Sequence, residues 1–321
     1  MARLIKKTVV LAKVETTTGT DAVPTGAANA IQVANLSITP VDAKMVAINT
    51  VTPWFGGTID LVATSCVKCS FEVLLAGAGL AATGPAWGQL LLGCAFSETL
   101  GLVTPNRVEY APITDLLKTL TIYWYDDGLL HKMLGAFGNV KLSAKSGEAP
   151  KLMFDFIGVD GTPSAAANAT AVLTAWKTPP TVTKANVTDI TLGCTYATGA
   201  LSGGTPFNSS GLTLDLGNST AFSPLLTLEQ VVLTDRNVKG TVELDLTAAQ
   251  EVTQIANVKG NVTTGLGFVI GNVTGNKIMV FAPGAQLLNP KKVDFNGQRL
   301  IGFDIGFNPV AGNDEVKLIS L

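Results

Sequence analysis

Val67-Lys68-Cys69-Ser70-Phe71-Glu72-Val73 alternates without a break. Val67, Cys69, Phe71 and Val73 fall on one side, and Lys68, Ser70 and Glu72 on the other. Successive side chains of a strand point to opposite faces, so this pattern marks a strand with one face on a core and one in solvent. The same stretch returns in the second half as Val238-Lys239-Gly240-Thr241-Val242-Glu243-Leu244-Asp245-Leu246. Its polar face again reads Lys, Thr, Glu. Leu36-Ser37-Ile38-Thr39 has a counterpart in Leu212-Thr213-Leu214-Asp215, and Met153-Phe154-Asp155-Phe156 in Gly302-Phe303-Asp304-Ile305. Self-similarity in fixed order marks repeated structural units, which implies an internal duplication.

Working outward, Ile31 to Thr39 reads as a strand stopped by Pro40. Thr119 to Tyr125 is rich in β-branched and aromatic residues and runs into Asp126-Asp127-Gly128, a tight hairpin turn. Leu152 to Gly158 is a further strand. Helix is scarce. Trp87, Leu90, Leu91 and Cys94 form an apolar stripe that predicts a helix over Ala86 to Ser97. Val252, Ile255 and Ala256 do the same for Ala248 to Asn257. The Ala-, Thr- and Pro-rich middle of the chain has the composition of a linker. The expected fold is mainly β: two tandem β-sandwich or barrel domains, each with one short helix, related by duplication. The divisions are an N-terminal arm over 1–30, a first domain over 31–160, a linker over 161–190 and a second domain over 191–321.

Composition narrows the function. Of 321 residues only 14% are charged, 47% are hydrophobic, and the formal net charge is −2. Mean hydropathy is +0.36. Such a chain is not disordered. Nor does it carry the positive excess of a general nucleic-acid binder. So apolar a chain must cover much of its surface, as a subunit of an assembly does. The apolar run after Lys7 ends at Lys13, too short for a signal sequence, and no stretch has the length of a membrane span.

Chemistry is hard to find. Cys66 and Cys69 have the CxxC spelling without a second pair, and buried thiols are the expectation. The single histidine, His131, is expected at an exposed strand position. Gly77-Ala78-Gly79-Leu80-Ala81-Ala82 resembles a dinucleotide loop only loosely and lacks a βαβ setting. Glu98, Asp126, Asp127, Asp314 and Glu315 read as solvated turn and loop carboxylates and not as metal ligands. The expectation is no enzyme, no cofactor and no metal.

Several stretches together resemble the tail tube proteins of long-tailed bacteriophages. They are Glu15-Thr16-Thr17-Thr18-Gly19-Thr20, Val23-Pro24-Thr25, Asn35 to Pro40, Ser70 to Gly77 and Pro85 to Leu91. Tyr123 to Lys132, Thr234-Asp235-Arg236, Gln286 to Pro290 and Asn313-Asp314-Glu315 continue the resemblance. It implies a structural virion protein of β-sandwich subunits, assembled in the host cytoplasm, whose rings stack into a hollow tail tube. DNA passes through without specific binding. The implied partner is foremost the chain itself, with a tape-measure protein and a tail terminator besides and no membrane. The family's rings present six folds, so two folds per chain imply homotrimeric rings of pseudo-six-fold symmetry. The alternative is a secreted or surface adhesion module of carbohydrate-binding type.

Two sets of residues are the candidate sites. Lys68, Ser70, Glu72, Asp155, Lys239, Thr241, Glu243, Asp245 and Asp304 occupy open strand faces and are expected to line the lumen. Five carboxylates against two lysines give an expected net negative wall. Pro53, Trp54, Phe55 and Ile59 lie in the long segment Thr39 to Cys66, which is expected, with its counterpart Asp215 to Arg236 and the N-terminal arm before Ile31, to reach the adjacent ring.

Overall fold

A computed structural model describes residues 3–321; Met1 and Ala2, where the expected N-terminal arm begins, lie outside the described residues. The first part of the chain contributes β1 (Thr8–Val14), β2 (Ala30–Ile31), β3 (Ala34–Ala47), β4 (Asp60–Leu74), β5 (Phe96–Leu102) and β6 (Arg107–Pro112). It continues with β7 (Leu120–Asp126), β8 (Leu129–Lys145), β9 (Lys151–Asp160) and β10 (Ser164–Ala165), and carries helices α1 (Gly26–Asn29) and α2 (Gly88–Leu92). The second part contributes β11 (Ile190–Ala197), β12 (Ala200–Phe207), β13 (Ser209–Asp215), β14 (Asn218–Pro224) and β15 (Glu229–Arg236). After these come β16 (Lys239–Leu244), α3 (Ala248–Lys259), β17 (Thr263–Ile270), β18 (Ile278–Phe295), β19 (Gln298–Phe307) and β20 (Lys317–Ser320). The fold is mainly β, as the alternation predicts.

Every pairing is antiparallel, and both parts show the same lateral order. In the first it runs β3-β4-β9-β8-β7-β1. In the second it runs β13-β16-β19-β18-β17-β11. The registers also correspond. Ser70 stands opposite Ser37 and Asp155, and Thr241 opposite Thr213 and Asp304. The strand that reads Val-Lys-x-Ser/Thr-x-Glu therefore has the same neighbours at the same positions twice.

The apolar faces of these strands share one core. Phe71, Phe154 and Phe156 pack with ring centroids 5.8–5.9 Å apart. Val242, Phe303 and Leu287 belong to the same buried cluster. Helix α2 seals it with Leu90, Leu91 and Leu92. This helix is shorter than the stripe predicts, because the chain turns at Gly93 to Ala95 and enters β5 at Phe96. Helix α3 opens with a full capping box, Thr247 with Gln250, which fixes its start. Its predicted stripe is not the packed side: Val252 and Ala256 are exposed, and Gln254 is the buried residue. Glu251 reaches Lys292 of β18, and this ion pair lies on the side turned to the sheet.

Three further expectations change. Pro40 does not stop the strand; it sits at a register shift between Thr39 and Asp42 inside β3. Among the described residues β3 is paired only with β4, and a strand with one free side tolerates a residue that cannot donate. The linker stretch is tied down: Trp176 Nε1 donates to the Ala30 carbonyl at 2.9 Å, and Val182 exchanges backbone hydrogen bonds with Gly147 and Glu148. His131 is half-buried, with its ring stacked on Trp124 at 4.9 Å.

The two parts are joined edge to edge. Strand β8 outruns β7, whose pairing ends at Leu120 opposite Ala136. Beyond that point Lys141 to Lys145 pair with β13, Lys141 opposite Asp215 and Ser143 opposite Thr213. One sheet thus runs β3-β4-β9-β8-β13-β16-β19-β18. A second contact needs glycine. A Cβ on Gly77 would lie 2.2 Å from the Gly275 carbonyl oxygen, so two backbones meet where no side chain fits. The glycine-rich run at Gly77 serves this crossing.

Candidate assembly surface

Partners in register share a face, so the pairings assign each polar side chain. Lys68, Ser70, Glu72, Asp155, Lys239, Thr241, Glu243 and Asp304 all lie on the side of the continuous sheet away from the core. Asp245, just past the end of β16, continues the alternation and is half-buried. The face is hollow where β8, β13, β16, β19 and β18 meet, lined by Lys141, Met153, Thr213, Thr241, Leu288 and Asp304.

The expected negative excess nearly vanishes. Pairing brings Asp42, Asp215 and Lys141, Lys145, Lys151 and Lys291 onto the same face, and carboxylates and ammonium groups then almost balance. Lys141 bridges Asp155 at 3.9 Å and Asp215 at 3.6 Å. Lys151 holds Glu72 at 3.1 Å, and Lys291 holds Asp304 at 3.5 Å. A hydrogen bond from Asn289, reinforced by Lys291, keeps the Asp304 carboxyl below the usual aspartate value. Ser210 donates to Glu243. The lysines were visible in the alternation Lys141-Leu142-Ser143-Ala144-Lys145, but which face they join is decided by pairing with β9 and β13.

A second surface is the far part of the β3–β4 hairpin. Strand β4 meets β9 only from Val67 onward, so before Val67 it has β3 as its sole strand partner among the described residues. There Met45, Val46, Val51, Leu61 and Val62 are exposed, as are Pro53, Trp54, Phe55 and Ile59 at the tip. Trp54 is 71% exposed. A two-stranded ribbon is marginal alone in water, and an apolar one is a contact surface.

The β14–β15 hairpin occupies the corresponding place in the second part and is folded down. It packs on β8 and β9 of its own chain, where the sequence predicts a reach to the adjacent ring. The buried Asn218 donates to the carbonyls of Cys94 and Gly138, both at 2.9 Å. Arg236 donates to Glu315 and the Ile113 carbonyl at 2.9 Å and to Asn313 at 3.0 Å. Sequence reading missed this clamp, although Arg236 and Asn313-Asp314-Glu315 stood out as separate stretches.

The carboxylates weighed as metal ligands have protein partners. Glu98 accepts from Tyr110 at 2.6 Å, Asp127 from the Leu4 amide, and Asp314 from the amides of Val310 and Ala311. Asp126 faces Arg3. All four cysteines are free and buried, and burial pushes the Cys69 thiol up to about 12. Among the described residues no helix is long and apolar enough to cross a membrane.

Comparison with known proteins adds one finding. A family model described as phage tail tube protein matches residues 6–309. No curated protein matches the chain.

Proposed function

From the premise that the chain belongs to the phage tail tube family, a family of structural virion-tail proteins that assemble into a tube, we propose that three copies close each ring. The residues 31–160 and 191–321 act as two equivalent wall units, products of an internal duplication, with β1 completing the first sheet. The observation that carries this reading is the continuous sheet in which two sets of strands share one order and one register. Each chain then fills two of six positions around the axis, and the closed point group is that of a cyclic trimer.

The polar sheet face is the lumen wall, with Lys68, Ser70, Glu72, Asp155, Lys239, Thr241, Glu243, Asp245 and Asp304 toward the channel. Lys68, Lys141, Lys151 and Lys291 are held by neighbouring carboxylates, so most of its ammonium groups are not free to neutralise phosphates and release counterions, and DNA slides past without specific binding. The exposed tip bearing Pro53, Trp54, Phe55 and Ile59 contacts the next ring. A tape-measure protein and a tail terminator are the chain's further partners. The family match favours this reading over a carbohydrate-binding adhesin.

Cryo-EM of purified tubes or native tails tests it. The expected result is three chains per ring with Ser70 and Thr241 facing the channel. Six chains per ring, or those residues on the outer wall, would overturn it.

A further inference from the structure

The sheet that joins the two halves ends in two free edges, and the join between the halves shows how such edges meet. Among the described residues, β3 is paired on one side only, with β4. Past Gln286, β18 is likewise paired on one side only, with β19. These edges hold the same places that β13 and β8 hold in the join. Thr39 stands opposite Lys68 as Asp215 stands opposite Lys239, so β3 corresponds to β13. Lys291 stands opposite Gly302 as Lys141 stands opposite Met153, so the end of β18 corresponds to the end of β8. The lysines make the same ion pair, Lys141 with Asp155 and Lys291 with Asp304.

We propose that the ring closes by antiparallel pairing of β3 of one copy with the Lys291 to Asp294 edge of β18 of the next, in the register of the join within the chain. This rests on the ring reading above. Ser143 opposite Thr213 within the chain becomes Val293 opposite Ser37 between chains, and Lys141 opposite Asp215 becomes Lys291 opposite Thr39. A second copy is the one occupant offering a complementary edge of this length and register. Unpaired strand edges are otherwise templates for uncontrolled association, and closure removes them. The core-facing side differs. Leu142 and Ala144 are replaced by Lys292 and Asp294, opposite Ile38 and Leu36, so the contact between chains is the more polar and the weaker of the two.

Cysteine crosslinking in assembled tubes tests the register, and the buried native thiols do not compete. A chain carrying Ser37→Cys and Val293→Cys should form a disulfide between copies on mild oxidation, with bands that stop at the covalent trimer. A shifted pair, Ser37→Cys with Lys291→Cys, should crosslink at least tenfold more slowly. Ser143→Cys with Thr213→Cys should close within one chain as the control. Tubes in which the shifted pair reacts faster, or the matched pair stays reduced, would overturn the register. Bands continuing to a hexamer would overturn the trimeric ring and leave the register standing. If the double variant makes no tubes, a side-chain-resolution map of unmodified tubes decides directly. Val293 opposite Ser37 upholds the proposal, and any other edge or offset refutes it.

Discussion

Two hairpins branch from corresponding places in the two parts, and they have opposite fates. The β14–β15 hairpin leaves the sheet after Asp215 and folds onto β8 and β9 of its own chain. Its root is the pair Asn218 opposite Arg236, and both side chains reach across to other elements. The β3–β4 hairpin leaves after Thr39, and its root is Asp42 opposite Cys66. Asp42 is paired with Lys68 of the same hairpin, and Cys66 approaches Asp42 at 3.9 Å. The compact hairpin is held because β8 and β9, the strands it packs on, belong to its own chain. The long one has no such partner among the described residues and ends in an exposed apolar tip. One sequence therefore displays both states of the same device, docked and waiting.

The largest effect should come from removing the waiting surface. Deleting Pro53 to Gly57 takes Trp54 and Phe55 from a tip that is largely exposed in the single chain. The subunit should keep its unfolding midpoint, while tube formation seen by negative-stain electron microscopy should be lost. Polymerisation that continues unchanged would break the contrast between the hairpins.

The docked hairpin should behave in the opposite way. Arg236 and Glu315 are nearly buried, with side chains 9% and 11% exposed. Removing one partner of a buried ion pair leaves the other charge uncompensated, at a cost of about 3 kcal/mol. The cost should be felt fully here, because Arg236 bonds Glu315 at Oε1 and the buried Oε2 has no hydrogen-bond partner among the described residues. Arg236→Ala should lower the stability of the isolated subunit by that amount in urea unfolding. A loss confined to assembly, with subunit stability intact, would show that this hairpin too depends on a neighbouring copy.

Alternation in Val67 to Val73 and Val238 to Leu246 made the paired strands legible, since a one-residue slip would expose the whole apolar set. The repeat predicted two matching sets of strands, while their lateral order came only from the pairings. What could not be read was decided between elements far apart in sequence. The join of β8 to β13 depends on β8 outlasting β7, and no local pattern encodes that. The clamp of Arg236 on Glu315 joins stretches that are neighbours only in space. The expected negative excess on the polar face was overestimated for the same reason, because Lys141, Lys145, Lys151 and Lys291 were assigned to no face until pairing placed them. Helix α3 shows the limit of apolar stripes: the Glu251–Lys292 ion pair, and not Val252, lies against the sheet.

The smallest effect separates the hairpin roots by pH. The hydrogen bond and charge of Lys68 hold the Asp42 carboxyl below its ordinary value of 3.8, and Asp42 in turn raises Lys68. The folded chain thus keeps Asp42 ionised to lower pH than the unfolded chain does. Near pH 4 the unfolded state binds more protons, so stability falls as pH falls. The contribution is fully present above about pH 5 and disappears as the pH drops through the folded value. Its size is small, because the pair is solvent-exposed. At the corresponding root the compact hairpin carries Asn218, an amide that does not titrate. Asp42→Asn gives the long hairpin the same side chain and should remove its share of the acid response. Urea unfolding of the two proteins should differ by a constant amount from pH 8 to about pH 5 and converge below about pH 4. Amide-exchange protection over residues 43–65 should fall in acid in the unsubstituted protein and less so in the variant. An identical acid loss in both would mean that the Lys68–Asp42 pair does not hold the long hairpin's root.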